Sequence, residues 1–112
     1  MTEKKQPDFP LDNVIHEQVR LAILTYLGGS PQRTVTFSEL KQNLELTAGN
    51  LSVQLRNLEA AAYVHITKNI EGRRPVTRVS LTLQGFKALT EYIRRMEEIF
   101  NTLKHGRTDN PD

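Results

Sequence analysis

Two arginines stand side by side in Glu71-Gly72-Arg73-Arg74-Pro75, between runs rich in Val, Ile and Thr. A turn calls for the glycine and the proline. It does not call for adjacent cations, which repel each other. A guanidinium forks onto phosphate oxygens, so the chemistry this pair offers is polyanion binding, and a polyanion would relieve the repulsion. Pro75 stiffens the tip and lowers the cost of ordering it on binding. Lys68 and Arg78, on the flanking runs, are placed to add phosphate contacts.

Other chemistry finds little support. His16, His65 and His105 are far apart, and no nucleophile motif, phosphate loop or dinucleotide fingerprint is present, so catalysis is not expected. The chain has no cysteine, which removes disulfides, thiol chemistry and Cys-based metal sites and fits a reducing cytoplasm. A His–carboxylate metal site using His16 or His105 is conceivable, but isolated histidines are usually plain polar residues; neither metal nor cofactor is expected. No apolar run approaches the roughly 20 residues of a membrane span, and the N-terminus lacks the apolar core of a signal peptide. Asn50-Leu51-Ser52 matches a glycosylation sequon, read here as coincidence.

The charge distribution agrees with the arginine pair. Residues 50–82 are net +3, whereas residues 1–49 are net −1. Within the basic part, Leu51, Leu55, Leu58 and Ala62 form an apolar helical stripe. The opposite face carries Gly49, Ser52, Val53 and Arg56, edged by Thr47, Asn50 and Gln54, with no acid among them. Small residues let a helix sink into a major groove, and Ser, Asn and Gln reach base edges; Val53 suits a thymine methyl. An ordinary solvated face would carry Glu and Lys. Gly49 either permits close backbone approach to DNA or marks a loose first turn.

The elements that must position these groups follow from capping and periodicity. One domain of 112 residues has room for a single modest core. Residues 1–11 read as a disordered arm. Asp12 or Asn13 caps a first helix running to about Leu27, ended by Gly28-Gly29-Ser30-Pro31. Thr34–Phe37 is a short extended piece. Thr36-Phe37-Ser38-Glu39 is a capping box opening a second helix to about Leu44, whose free amides, with Thr36 and Ser38, offer a phosphate contact. Thr47 caps the third helix, ending near Tyr63. Val64–Ile70 and Val76–Leu81 form a hairpin bridged by residues 71–75. Thr82 caps a last helix to about Leu103, and residues 104–112 read as a disordered tail. In that helix Phe86, Leu89, Ile93, Met96, Phe100 and Leu103 are spaced 3, 4, 3, 4, 3. That is a short heptad seam, and its far end outreaches so small a body. A homodimer is expected through Leu89, Ile93, Met96, Phe100 and Leu103, together with the extra apolar face of the first helix.

The order predicts an α+β, mainly α fold: a winged helix-turn-helix with an extra C-terminal dimerisation helix, residues 12–103. The stretch Leu44 to Glu59 resembles the recognition-helix region of small winged-helix transcriptional regulators of the MarR-like and ArsR-like groups. Tyr63-Val64 resembles their entry to the wing, Gly72-Arg73-Arg74-Pro75 their wing tip, and Ser80-Leu81-Thr82-x-x-Gly85 their return to the last helix. The resemblance covers roughly Ile15 to Phe100. It implies a cytoplasmic, dimeric, sequence-selective double-stranded DNA-binding regulator, with residues 47–62 in the major groove and residues 64–81 on the minor groove or phosphates. A small-molecule effector is not identified; if one acts, the dimer interface is where it is expected. The alternative is a winged-helix protein-interaction module, disfavoured by the acid-free helix face and the basic tip.

Overall fold

The computed structural model describes residues 11–15 and 17–106. In chain order they form α1 (Gln18–Gly28), a 3-10 turn (Pro31–Arg33), β1 (Thr34–Thr36), α2 (Phe37–Asn43), α3 (Ala48–Ala60), β2 (Val64–Glu71), β3 (Arg74–Leu81) and α4 (Leu83–His105). The sheet is antiparallel in the order β1-β3-β2. This is the winged helix-turn-helix with a C-terminal helix that the residue pattern predicts.

Three of the helix starts are set by single threonine hydroxyls. Thr36, Thr47 and Thr82 accept from the backbone N–H of Glu39, Asn50 and Gly85 at 3.1, 3.0 and 2.9 Å. Each satisfies an amide the helix itself cannot. At α2 the other half of the expected capping box is diverted: the Glu39 carboxylate accepts from the Tyr26 hydroxyl at 2.6 Å, which ties α2 to α1.

The first helix starts later than expected. Asp12 accepts from the N–H groups of Val14 and Ile15, but it caps only a turn. The helix proper begins at Gln18, with Glu17 as its cap. Asp12 has a second task that local reading does not reveal, since its other carboxylate oxygen accepts from the Tyr63 hydroxyl. Leu11, assigned to the loose arm, packs half-buried against the core. The rest of the arm lies outside the described residues. At the other end α4 continues to His105, two residues past the expected stop, and residues 107–112 are outside the description.

Ile23, Leu24 and Leu27 of α1, Leu51 and Leu58 of α3, and Val79 of β3 are fully buried, so α1 and the dry side of α3 close on the sheet. Two details hold the wing to the body. α3 ends at Ala60, not at Tyr63, because Ala62 turns to φ +67°. Thr82 then closes the return: its N–H donates to the Tyr63 carbonyl at 3.0 Å and its hydroxyl to the Ala62 carbonyl at 2.7 Å. Gly85 sits against this knot. A β-carbon there would lie 2.2 Å from the Tyr63 carbonyl oxygen, so only glycine fits.

Candidate nucleic-acid interface

α3 buries Leu51, Leu55 and Leu58 and leaves Gly49, Asn50, Ser52, Val53 and Arg56 outside. Val53 is 48% exposed, an aliphatic side chain with no place in the core. Gly49 has no atom within 4 Å of where a β-carbon would stand, and it is not at positive φ. Nothing inside the fold requires glycine at that position.

The wing is tighter than expected. β2 and β3 pair from Val64↔Leu81 out to Glu71↔Arg74, leaving Gly72 and Arg73 alone as the turn. Both have positive φ, +60° and +82°, the pattern of a type I′ hairpin turn. Arg74 and Pro75 are therefore strand residues and not part of the turn. Pro75 is tolerated because β1 pairs β3 only at residues 78–80, so β3 has a free edge there. Arg73 holds a left-handed conformation that costs a side-chain-bearing residue about 1 kcal/mol or more. Glycine or asparagine would suit the turn better, so the arginine does not serve the turn.

Strand alternation divides the wing's charges between two faces. Lys68 pairs with Thr77, on the face that Ile66 and Val79 turn inward; Arg74 and Arg78 lie on the other. Lys68 and Thr77 join Ser52, Arg56 and Glu59 around an open groove of about 510 Å³ between α3 and the sheet, with Phe37, Leu55 and Ile66. A second groove, of about 580 Å³, runs between the start of α2 (Thr36, Phe37, Ser38) and the wing (Arg74, Pro75, Val76, Thr77). Phe37 and Thr77 line both. The two grooves therefore adjoin, bringing Ser52 and Arg56 of α3, the start of α2 and strand residues of the wing into neighbouring positions.

Three expected contact residues are differently employed. Gln54 is drawn back to the body: its Oε1 accepts from Arg20 at 2.9 Å and its Nε2 donates to Asn50 at 3.2 Å. Arg78 is ion-paired with Glu71, bonding both carboxylate oxygens, so that its charge is largely neutralised. The guanidinium holds the Glu71 carboxyl below the usual carboxylate range, and the carboxylate holds the Arg78 guanidinium above its own. Leu89, expected in the dimer seam, is 4% exposed and sits in the core of the chain itself. Thr36 and Thr47 already use their hydroxyls as helix caps. Among the described residues, Arg56, Lys68, Arg73 and Arg74 form no ion pair.

A family model described as a winged helix DNA-binding domain matches residues 19–100. The chain belongs to that family. It is 30% identical over 91 residues to an uncharacterised protein of Methanocaldococcus jannaschii, covering 81% of this chain and 97% of that one. The structure of a transcriptional regulator homologue from Pyrococcus horikoshii superposes with a TM-score of 0.76 at 30% identity, over 82% of this chain and 89% of that chain. A MarR family transcriptional regulator from Streptomyces coelicolor, determined in complex with DNA, matches at a TM-score of 0.66 and 22% identity, over 81% of this chain and 57% of that chain. At that identity the likeness is one of fold.

Within this winged helix, local sequence reading misses Arg20. Its signal is there: it is the one charged residue in Gln18–Gly28, on a helix apolar nearly all round. Such a charge needs a partner, and α3 provides it.

α4 continues the seam outward. Beyond Leu89 and the buried Tyr92, Ile93 and Met96 are each 39% exposed, Phe100 61% and Leu103 79%. The opposite side is polar and internally paired. Arg94 bridges Glu91 and Glu98, and Arg95 also reaches Glu91. Hydrogen bonds from Arg94 and then Arg95 hold the Glu91 carboxyl down at about 2. No helix among the described residues is long and apolar enough to cross a membrane.

Proposed function

We propose that this winged helix is a sequence-selective, homodimeric, double-stranded DNA-binding transcriptional regulator. α3 lies in the major groove and presents Gly49, Asn50, Ser52, Val53 and Arg56 to base edges. Arg73 and Arg74 reach the adjacent minor groove or its phosphates, and Lys68 lies against the backbone between helix and wing. Ser38, next to Arg74 across the second groove, adds a phosphate contact at the start of α2. Two copies join through Ile93, Met96, Phe100 and Leu103.

The observation that carries this reading is the sharing of Phe37 and Thr77 by the two grooves. It supports a single surface for Ser52 and Arg56 of α3, Lys68 and Arg74 of the wing and the start of α2, which a duplex would meet together. The exposed aliphatic stripe of α4 supports the dimer, because such a stripe is otherwise left in water.

Selection of bound duplexes from a random pool tests the proposal. The expected product is an inverted repeat whose half-sites lie about one helical turn, or a multiple of it, apart. Recovery of unselected sequence would refute sequence selectivity, and a single unrepeated site would refute the two-fold dimer.

A further inference from the structure

Arg20, Gln54 and Asn50 form a hydrogen-bonded chain from the body of the molecule to the outer face of α3. The Arg20 Nε donates to the Val14 carbonyl, and its Nη1 donates to Gln54 Oε1 at 2.9 Å. Gln54 Nε2 donates to Asn50 Oδ1 at 3.2 Å, one helical turn earlier. Arg20 and Gln54 are half-buried, and Asn50 is exposed.

The chain has a direction. A side-chain amide can present either end to a neighbour, and its partners decide which. A guanidinium has donors only, so Gln54 must turn its oxygen to Arg20. Its nitrogen must then face Asn50. Asn50 in turn must give its oxygen to Gln54, which leaves the Asn50 Nδ2 hydrogens pointing away from the helix body. We infer that Arg20, which does not reach the outer face of α3, is a specificity-determining positioning residue: through Gln54 it sets Asn50 as a hydrogen-bond donor toward the DNA.

The consequence concerns one base pair. Asn50 is in the first turn of α3, and the N-terminal residues of a recognition helix are those that approach base edges. An asparagine free to rotate pairs with adenine, using its oxygen and nitrogen together. With one lone pair of its oxygen taken by Gln54 and the amide plane fixed by that bond, Asn50 leads with its two Nδ2 donors. The edge that suits it is one of adjacent acceptors, N7 and O6 of guanine. Arg20 thereby selects guanine over adenine from across the helix interface.

The inference rests on the proposed DNA reading, and two measurements separate their failures. In the free protein, Arg20→Met should move the side-chain amide NMR signals of Gln54 and, through it, of Asn50; Asn13 and Asn57, which line a groove with Arg20, report proximity alone, and remote amides such as those of Asn43 and Asn69 should stay in place. In duplex selection, the wild type should show a guanine that Asn50→Ala loses. Arg20→Met should relax that same base pair about tenfold, admitting adenine, with the salt dependence unchanged. Arg20→Lys, still a donor, should keep the guanine. If Arg20→Met weakens every position equally, or leaves the consensus intact, the orienting role is overturned and Arg20 is a plain joint between α1 and α3. A wild type that selects no sequence overturns the DNA reading and the base preference with it, while the amide signals still report whether the chain of bonds exists.

Discussion

Replacing Arg73 by Gly and Arg74 by Ala removes two unpaired cations from the wing and keeps its turn. Glycine is chosen at residue 73 because φ there is +82°, so the backbone is relieved and not distorted. If both arginines neutralise phosphates, the slope of log K against log salt should flatten by about 1.8, from about 0.9 for each phosphate no longer neutralised. Between 50 and 200 mM salt the wild type should then lose about tenfold more affinity than the variant. The structure adds an internal control. Arg78 is held by Glu71, so Arg78→Ala should flatten the slope much less than either tip arginine does. Glu71→Gln, which releases Arg78, should steepen the slope by up to about 0.9 and tighten binding. Fluorescence anisotropy on one duplex across a salt series reads all of these. An unchanged slope in the tip variant would refute the wing's role. Equal effects of Arg78→Ala and of a tip substitution would refute the neutralising ion pair.

Gly49→Ala should raise the melting temperature and weaken DNA binding together. The added methyl meets nothing within 4 Å, and helix propensity gains up to about 1 kcal/mol, less this close to the helix start; unchanged or tighter binding would refute close backbone approach at that position. Ile93→Asp with Phe100→Asp should yield a folded monomer in sedimentation equilibrium at micromolar concentration, because both side chains are exposed within one subunit; a variant that remains dimeric would place the interface elsewhere. The Tyr63 hydroxyl is pushed up to about 12, first by burial and then by its hydrogen bond to Asp12. A folded-state value raised above the unfolded one near 10 stabilises fully below about pH 10 and is lost as pH rises through the folded value. Melting temperature should therefore fall between about pH 10 and 12, and Tyr63→Phe should remove Tyr63's share of that fall; an identical alkaline profile would refute the assignment.

What was legible in the sequence was what short-range chemistry decides. A threonine three residues before a waiting amide is visible in the text of the chain, so the starts of α2, α3 and α4 are found at Thr36, Thr47 and Thr82. The dry stripe Leu51, Leu55, Leu58 is equally plain, because helical spacing alone selects it. Local reading falls short where a side chain has two possible partners and a distant one engages it. Asp12 looks like a helix cap; it caps a turn and binds Tyr63, 51 residues away. Gln54 looks like a base reader; it binds Arg20, 34 residues back. Arg78 looks like a free cation on a strand; Glu71 reaches it across the hairpin. Leu89 has the spacing of a seam residue, yet it lies where α4 still covers its own core, against Gly28. Periodicity shows that a face is apolar and does not say whose apolar surface will cover it.

The same knot of residues fixes the geometry on which the interface depends. Only Ala61, Ala62 and Tyr63 separate α3 from β2, and the left-handed turn at Ala62 sets the angle between them. Thr82 bonds to the carbonyls of both Ala62 and Tyr63, and Gly85 lets α4 lie directly on the Tyr63 carbonyl. The end of the groove-facing helix, the base of the wing and the root of α4 therefore share one rigid joint. A helix and a hairpin linked by a longer, unbonded loop would spread over many relative orientations, and docking on a duplex would have to freeze them at an entropic cost. Here that ordering is done on folding. Because α4 grows from the same joint, the distance between two copies of α3 in a dimer is set by how α4 meets its partner. In the proposed dimer the exposed stripe from Ile93 to Leu103 would thus govern the spacing of the two α3 helices, although none of its residues lines either groove.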